Sequence, residues 1–289
     1  MNDSDVGQTA EMHIKFYGVR GSISVSGDRY REFGGNTTCL QIMASETKRI
    51  GIIDAGTGIR VLGTDFLAMD TDQKEIFIAF THFHWDHIQG FPFFMPAYNP
   101  EMKTNFLALG GERRISSLRD IFALQMKQTY FPVSMSEMGA HFEFLLMEDR
   151  SHTFIPPDKT PVKVTAVMHN HPGGAYSYRY ERAGRSFVFS TDIEHGDVID
   201  ENIVALAQGA DILIHDGQYS SDELPKKKGW GHSSYHQATE VAIRASVKQL
   251  VVTHHDPDHD DDYLRRAEKH CMDRFPDTVF AREGMVVST

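Results

Sequence analysis

Short runs of apolar residues, several of them alternating with polar residues, predict β-strands in both halves of the chain. The predicted strands of the first half cover 13–19, 38–44, 50–55 and 75–81. Those of the second half cover 162–168, 175–181, 186–190, 210–215 and 249–253. Apolar residues at helical spacing predict helices over 200–208, 234–247 and 262–275, and a helix-like stretch within 111–127. This pattern predicts an α/β (α+β) protein in which two sheets pack together with helices outside.

The organisation of the chain indicates one domain. Its 289 residues are enough for one large domain or two small ones. No stretch rich in Pro and Gly separates the two halves, so we expect a single domain over 11–289. Residues 1–10 predict a disordered tail, and residues 88–160 show a less regular pattern than the rest.

Charge and composition narrow the class of protein. Lys and Arg number 29 and Asp and Glu 40, and the formal net charge of −11 disfavours broad binding to nucleic acid or anionic lipid. No stretch reaches the roughly 18 to 20 apolar residues of a membrane span, and the acidic N-terminus is unlike a signal peptide. The two cysteines, Cys39 and Cys271, are too few for a disulfide framework. We therefore expect a soluble, cytoplasmic protein with no membrane partner.

The 16 histidines are the unusual feature, because they are grouped. The densest group is the segment 81–87, THFHWDH, an HxHxDH pattern directly after a predicted strand. Imidazole nitrogens and carboxylate oxygens suit a divalent metal, zinc above all. If His82 and His84 continue the strand, they point to one face, and Asp86 and His87 then lie on the turn and face a second ion. The segment therefore predicts ligands for two neighbouring ions.

One segment cannot complete two coordination shells, so further ligands are expected at other strand ends. Three residues lie directly past apolar runs: His171 in HNHPGG, Asp192 in FSTDIEH and His254 in VVTHHDPDH. Asp192 has two carboxylate oxygens and is able to bridge two ions. His169 and His255 are the alternatives to His171 and His254, and the position nearer the turn favours His171.

The order HxHxDH, then His, Asp and His, resembles the ligand order of the metallo-β-lactamase-fold hydrolases over nearly the whole chain. The segment GWGHSS, followed by a helix and VVTH, is similar to the GHST…LTH ending of the ribonuclease Z branch. FYGVRGSISV…GGNTTCL and IIDAGTGIR are similar to the opening of that branch, including its Asp-x-Gly turn. The branch contains the transfer-RNA 3′-processing endonuclease and smaller relatives that open cyclic phosphodiesters.

The resemblance implies an αββα sandwich of two mixed β-sheets flanked by helices, with the site along one edge of both sheets. It also implies two divalent metal ions, with Zn²⁺ expected and Mn²⁺ or Fe²⁺ as alternatives. The implied ligands are His82, His84 and His171 for the first ion, Asp86, His87 and His254 for the second, and Asp192 as the bridge. The family position favours His254 over His255. Surface or capping positions are expected for the histidines without such context: His13, His141, His152, His259 and His270.

The resemblance further implies hydrolysis by a hydroxide that bridges the two ions, because two divalent ions lower the pKa of a shared water. Asp86 is expected to orient this hydroxide as well as to bind metal. His232, in GWGHSS, is the candidate general acid for the leaving alkoxide, since imidazole exchanges protons near neutral pH. Asp216, in LIHDGQ, is the candidate partner that fixes the tautomer of His232, where ribonuclease Z enzymes have an acidic residue. The structural alternatives are a residue at a helix N-terminus for His232 and a turn at a strand end for Asp216.

We expect a small phosphodiester substrate, with a cyclic nucleotide as one candidate, because the chain is acidic and shows no basic arm like that of ribonuclease Z enzymes. No stable complex with nucleic acid is expected, and a homodimer agrees with the many dimeric relatives of this branch. Phosphate contacts are open to Arg20, Arg60, Arg179 and Lys226–Lys228, although a surface position is the simpler explanation for each. The segment 129–132 either lines a pocket or packs in the core.

Other functions are compatible with parts of the pattern. A hydrolase of a thioester, lactone or lactam would share the ligands but leaves GHSS unexplained. The di-iron branch that reduces oxygen or nitric oxide usually has Glu where this chain has His84. A metal-bound sensor or scaffold without catalysis gives no reason for the complete ligand set. An RNA-processing endonuclease is the remaining alternative.

Overall fold

The computed structural model describes residues 11–44, 49–110, 117–147, 150–156 and 158–289. The predicted tail, 1–10, and the beginning of the helix-like stretch, 111–116, lie outside the described residues. The elements of the first half are β1 (Met12–Gly18), β2 (Cys39–Ala44), β3 (Ile50–Ile53), α1 (Ile59–Ala68), β4 (Glu75–Ala79), α2 (Trp85–Ile88), β5 (Lys103–Leu109), α3 (Leu118–Gln125) and β6 (His141–Met147). Those of the second half are β7 (Ser151–Phe154), β8 (Val162–His169), β9 (Ala175–Arg182), β10 (Arg185–Ser190), α4 (Glu201–Ala207), β11 (Ile212–Asp216), α5 (Tyr235–Arg244), β12 (Gln249–Thr253), α6 (Asp261–Met272), β13 (Thr278–Phe280) and β14 (Val286–Ser288).

In the described parts of the chain, the strands form two seven-stranded sheets. The first sheet has the order β14-β1-β2-β3-β4-β5-β6, and the second has the order β13-β12-β11-β10-β9-β8-β7. Strands β3 to β6 are parallel to one another, as are β10 to β13, and the remaining neighbours are antiparallel. Both sheets are therefore mixed, as the resemblance implies.

The sheets pack face to face around an apolar layer, which includes Phe16 and Leu40 of the first sheet and Tyr178 and Ile214 of the second. A second apolar cluster joins the outer face of the first sheet to α1 and α3. A third joins the outer face of the second sheet to α4, α5 and α6. Burial of these three layers is the main favourable contribution to folding. The arrangement is an αββα sandwich, so the predicted fold class is confirmed.

The sequence pattern did not predict β5, β6, β7 or α1. Strand β5 is buried at every position after its partly buried first residue, so KTNFLAL lacks the alternation that marks a half-buried strand. Strands β6 and β7 lie at the outer ends of the two sheets and are only partly buried, so their apolar pattern is also weak. The irregularity of 88–160 thus reflects position within the sheets.

The strand directions place the polar loops together. Strands β3 and β4 of the first sheet are parallel, and β8, β10, β11 and β12 of the second sheet all run in one direction. Their carboxyl ends therefore meet along one edge of the sandwich, which is where ligands bind in open α/β sheets.

Among the helices of the described ranges, none is long and apolar enough to span a lipid bilayer.

Candidate metal centre

The HxHxDH segment brings four polar side chains to this edge. Strand β4 ends at Ala79, so His82 and His84 lie in a loop and do not continue the strand as the sequence predicts. Asp86 and His87 lie in the one-turn helix α2, where a turn was expected. All of these polar side chains except His84 are buried. Although the backbone differs from the prediction, the side chains still converge, because the loop leads directly into α2.

Three histidines form the first group of potential ligands: His82, His84 and His171. Their ring centroids lie 4.5 to 4.8 Å apart. Nδ1 of His171 donates to the carbonyl of Gly231 at 2.8 Å, so the lone pair of the neutral ring lies on Nε2. That Nε2 lies 3.0 Å from Nδ1 of His84. Two imidazole nitrogens facing each other at this distance suit a common ion.

The second group contains Asp86, His87 and His254. Oδ2 of Asp86 lies 3.4 Å from Nε2 of His87 and 3.3 Å from Nε2 of His254. The other ring nitrogens are held from behind: Nδ1 of His87 donates to Asp54 at 2.8 Å, and Nδ1 of His254 donates to Gln218 at 3.0 Å. These contacts fix both tautomers and direct both Nε2 atoms into the site. Asp54 and Gln218 were not predicted, although Asp54 belongs to the Asp-x-Gly turn.

Asp192 lies between the two groups. Its Oδ1 is 3.7 Å from Nε2 of His82 and 3.8 Å from Nε2 of His171. Its Oδ2 is 3.1 Å from Nε2 of His87 and 3.3 Å from Nε2 of His254. Each oxygen therefore faces one group, which is the geometry of a carboxylate that bridges two ions.

The donor atoms fit a metal. The Nε2 atoms of His82, His87 and His254 are buried and make no well-aligned hydrogen bond within the described residues. A buried polar atom without a partner costs free energy, and here three such atoms border one space. Nitrogen and carboxylate donors in this arrangement suit Zn²⁺, Mn²⁺ or Fe²⁺.

The electrostatics of the two groups differ. Burial, with the neighbouring His87, lowers the pKa of His82, which keeps its ring in the neutral form that binds metal. Burial acts in the same direction on His254, but Asp192 and Asp86 outweigh it and raise the pKa of His254 to about 9. The carboxylates thus make the second group the stronger attractor of positive charge.

Strained backbone also collects at the site. Asp54, Asp192 and His254 have positive φ angles of 59°, 57° and 63°, in the left-handed region that L-residues seldom adopt. Ser22, with a φ of 64°, donates its N–H to Asp86 at 2.8 Å. Such strain persists where the surrounding structure holds it, and it is frequent at functional sites.

His232 and Asp216 form a buried pair beside the ligand groups. Nδ1 of His232 donates to Oδ2 of Asp216 at 2.9 Å. Asp216 also accepts the backbone N–H groups of Asp192 at 2.9 Å and of Gln218 and Ser233 at 3.1 Å. Burial would raise the pKa of Asp216, but His232 outweighs it and lowers the pKa. The carboxylate is therefore ionised and rigid, and it leaves Nε2 of His232 as the ring atom able to exchange a proton.

The ring of His232 lies between the two ligand groups. It is stacked at 5.0 Å on His254 and edge-on at 5.4 Å to His171. Potential ligand atoms of His232 also lie close to those of His171 and Asp192. The atom of His232 that lies near Asp192 is Nδ1, 3.9 Å from Oδ1, and this atom already donates to Asp216. We therefore favour a proton-transfer role for His232 over metal binding.

A glutamate that sequence reasoning missed fixes the loop before His232. The carboxylate of Glu194 accepts the N–H of Gly229 at 2.7 Å and of Gly231 at 2.9 Å. Its own N–H donates to the carbonyl of Asn170 at 2.9 Å. A side chain at Gly231 would lie 2.1 Å from Nδ1 of His171, so this position requires glycine. The two glycines of the GWG segment, Gly229 and Gly231, were the sequence signal that could have indicated a tightly constrained loop here.

A chain of buried histidines supports Asp216 from behind and was also missed. Nδ1 of His195 accepts the N–H of Asp200 at 3.1 Å, so Nε2 of His195 carries the proton and faces Nε2 of His215 at 3.2 Å. Nδ1 of His215 in turn donates to the carbonyl of Asp216 at 2.7 Å. Burial lowers the pKa of His195 to about 2, so this chain is neutral and fixes the backbone of Asp216.

The alternative ligands lie outside the two groups. His169 is buried at the end of β8, where burial lowers its pKa to about 3. Nε2 of His255 donates to the carbonyl of Ala281 at 3.0 Å, and its ring stacks on Phe280. Of each pair of alternatives, the structure thus brings the expected residue, His171 or His254, to the site.

Some expectations for other residues were wrong. His259 is buried, bonds to Glu223 at 2.9 Å and stacks on Tyr263, although a surface or capping position was expected. Arg20 is also fully buried and donates to the carbonyl of His259 at 2.6 Å, so neither phosphate binding nor a surface position describes it. In the segment 129–132, Tyr130 is 67% exposed, whereas Phe131 packs against the apolar cluster of the first sheet, as the core alternative expected.

The fold and the site together define a metal-dependent hydrolase with the metallo-β-lactamase fold. The chain belongs to the family described as the beta-lactamase superfamily domain, whose model matches residues 50–255. A ribonuclease Z of Prochlorococcus marinus (strain MIT 9515) is 24% identical, over 86% of this chain and 92% of the relative.

Solved structures share the fold. The metallo-β-lactamase-fold protein YhfI of Bacillus subtilis has a TM-score of 0.69 and 15% identity, covering 97% of this chain and 100% of its own. The short form of human tRNase Z has a TM-score of 0.64 and 19% identity, covering 95% and 98%. A diphosphatase of the PhnP family has a TM-score of 0.62 and 16% identity, covering 96% and 97%.

Proposed function

We propose that this protein is a dinuclear phosphodiesterase that hydrolyses a small phosphodiester, with cyclic nucleotides among the candidates. The observation that carries the proposal is the His232–Asp216 pair, which lies beside both ligand groups and keeps one ring nitrogen for proton transfer. A relative named ribonuclease Z and a structural neighbour of the PhnP family named diphosphatase support chemistry at phosphorus.

In this proposal His82, His84 and His171 would hold the first ion, Asp86, His87 and His254 would hold the second, and Asp192 would contribute one carboxylate oxygen to each. Two divalent ions in these positions supply hydroxide at neutral pH and offset the charge of a phosphodiester. Zn²⁺ is the expected ion, with Mn²⁺ or Fe²⁺ as alternatives.

The chain's own residues perform three tasks. Asp86, fixed by the N–H of Ser22, orients the nucleophile. As the hydroxide oxygen forms a bond to phosphorus and the bond from phosphorus to the leaving oxygen breaks, Nε2 of His232 would donate a proton to the leaving alkoxide. Asp216 accepts from Nδ1 of His232 and so fixes the tautomer and the orientation of the ring, as a buried carboxylate does in other acid–base pairs.

The test is hydrolysis of bis(p-nitrophenyl) phosphate by protein of measured metal content, alongside the variants Asp192→Ala and His232→Ala. We expect turnover that rises with bound metal to about two ions per chain and falls in both variants. Two bound ions with no turnover of the diester, but with turnover of a thioester or lactone, would replace the proposal with the other hydrolase class.

An RNA-processing endonuclease is the second candidate, because the relative named ribonuclease Z matches this chain over 92% of its own length. A transfer-RNA precursor with a 3′ trailer, assayed beside 2′,3′-cyclic nucleotides, separates the two. Faster cleavage of the precursor at equal concentration would favour the endonuclease.

A further inference from the structure

The chain contains two tryptophans, Trp85 and Trp230, and both lie beside the candidate metal centre with their side chains in solvent. Trp85 is 63% exposed and Trp230 is 59% exposed. An exposed indole offers a large, flat apolar face on which a planar group is able to stack. Trp85 follows the candidate ligand His84, and Trp230 lies two residues before His232, so a molecule that enters the site would pass close to both.

One imidazole ring connects the two tryptophans. Nε2 of His171 faces His84, the residue before Trp85, at 3.0 Å. Nδ1 of the same ring donates at 2.8 Å to Gly231, the residue after Trp230. The residues next to the two tryptophans, His84 and Gly231, thus contact opposite ring nitrogens of a single candidate ligand. His84 is exposed, so this side of the site is open to solvent.

The loop that carries Trp230 is held in place. Glu194 accepts the N–H groups of Gly229 and Gly231 on either side of Trp230. The ammonium of Lys227 lies 4.2 Å from the centre of the indole ring, over one of its faces. The indole is thus fixed from one side and retains exposed surface for another contact, which is the arrangement of a stacking platform.

We propose that Trp85 and Trp230 flank the substrate entrance and select phosphodiesters that carry a planar aromatic group, a nucleobase in particular. This inference rests on the proposed function, since it assigns the substrate class of that site. A base stacks on an aromatic side chain with little dependence on its identity, so several nucleotides would be accepted. The ammonium of Lys227 adds a positive charge beside the platform, which suits a charged ester.

The test compares two diesters with the same leaving group: thymidine 5′-(p-nitrophenyl phosphate), which has a base, and methyl p-nitrophenyl phosphate, which has none. We expect kcat/KM to favour the thymidine ester by about 10-fold or more, and this ratio to fall about 10-fold in Trp85→Ala and Trp230→Ala, mainly through KM. Trp85→Phe and Trp230→Phe keep an aromatic face and should retain most of the ratio. Leu67→Ala, which removes a 54% exposed side chain on α1, is the matched control and should leave the ratio as in the wild type.

A second readout does not depend on turnover. Because the chain has no other tryptophan, its indole fluorescence reports on this entrance. We expect AMP to quench it at concentrations where ribose 5-phosphate does not. If neither ester is hydrolysed but AMP alone quenches, the proposed function fails and the assignment of the entrance stands.

Three results would overturn the inference. One is equal quenching by AMP and ribose 5-phosphate, and another is no quenching by AMP. The third is an unchanged ester ratio in both alanine variants while size-exclusion chromatography shows that a dimer becomes a monomer. In that case the tryptophans form a protein interface.

Discussion

The two sheets supply the candidate site in different ways. The first sheet contributes four proposed ligands from a single loop and helix after β4, and Asp54 holds one of them from behind. The second sheet contributes its ligands one at a time, from the ends of β8, β10 and β12, and adds the pair of Asp216 and His232. A compact motif therefore provides the local half of the site, and the fold assembles the other half from separated segments. In the proposed function the residues of the first sheet, the local half, would bind metal, whereas those of the second sheet, the assembled half, would both bind metal and transfer protons.

Replacement of Asp192 should have the largest effect, because this residue joins the two halves. Asp192→Asn keeps the volume and tolerates the φ of 57°, but it replaces one of the two facing oxygens with an amide nitrogen. We expect bound metal to fall from about two ions to about one and activity to fall about 10³-fold or more. Elemental analysis and diester hydrolysis measure both. Two retained ions with full activity would show that the halves bind metal independently.

Replacement of His232 should separate the two tasks of the assembled half. His232→Gln should keep both ions and lower kcat about 10²- to 10⁴-fold, because a general acid is lost while the ligands stay. The loss should be larger for an alkoxide leaving group than for p-nitrophenolate, which needs less proton assistance. Rates for a series of leaving groups measure this. A loss that is equal for all of them would mean that His232 binds metal or substrate.

His87 and His254, the histidines proposed for the second ion, are each held by one acceptor, Asp54 after a strand of the first sheet and Gln218 after a strand of the second. Replacing each acceptor compares the two sheets directly. Asp54→Asn should weaken metal binding about 10- to 100-fold, since a charged acceptor behind His87 is lost. Gln218→Met should weaken it less, because the acceptor behind His254 is neutral. Competition with a chelator measures both affinities. A larger loss of metal affinity in Gln218→Met than in Asp54→Asn would indicate that the residues of the second sheet, and not the HxHxDH motif, control metal affinity.

The smallest effect is expected from Glu223, which lies just outside the site and contacts His259. Burial would raise the pKa of Glu223, but the bond to His259 outweighs it and lowers the pKa to about 2. A lowered carboxyl pKa stabilises the folded state above the ordinary value near 4.5, and this contribution is lost as the pH falls through about 2.

Glu223→Gln should therefore reduce the free energy of unfolding by no more than about 1 kcal/mol at pH 7, because the carboxylate is partly exposed and screened. The difference from the wild type should shrink below pH 4, and activity should stay close to wild type. Denaturant unfolding at pH 3 and pH 7 measures the change. A large loss of activity would extend the assembled half of the site to His259.

The pattern of apolar and polar residues was sufficient to predict strands and helices in which buried positions recur at a regular spacing. Strands such as β9 and β12 and helices such as α5 were predicted close to their observed bounds, because each buries one face or one continuous apolar run. The pattern failed for β5, which is buried on nearly every side, and for the three-residue strands β13 and β14. Those elements exist because neighbouring strands pair with them, and pairing is not visible in a local window.

The same limit applies to the site. Each residue proposed as a ligand could be named from the sequence, because metal chemistry restricts these positions to few residue types at characteristic spacings. These positions are the segment 81–87 and polar residues directly after strands. Residues that hold the ligands from behind, such as Asp54 and Gln218, follow no such rule, and neither does Glu194, which fixes a neighbouring loop. Many polar side chains can accept an imidazole or peptide N–H. Packing of the two sheets places them, and it also separates His254, which faces the site, from His255, which packs on Phe280. The sequence thus determines which residue types are available as ligands. The directions of their side chains and the distances between them are set only when the strand ends meet at one edge of the sandwich.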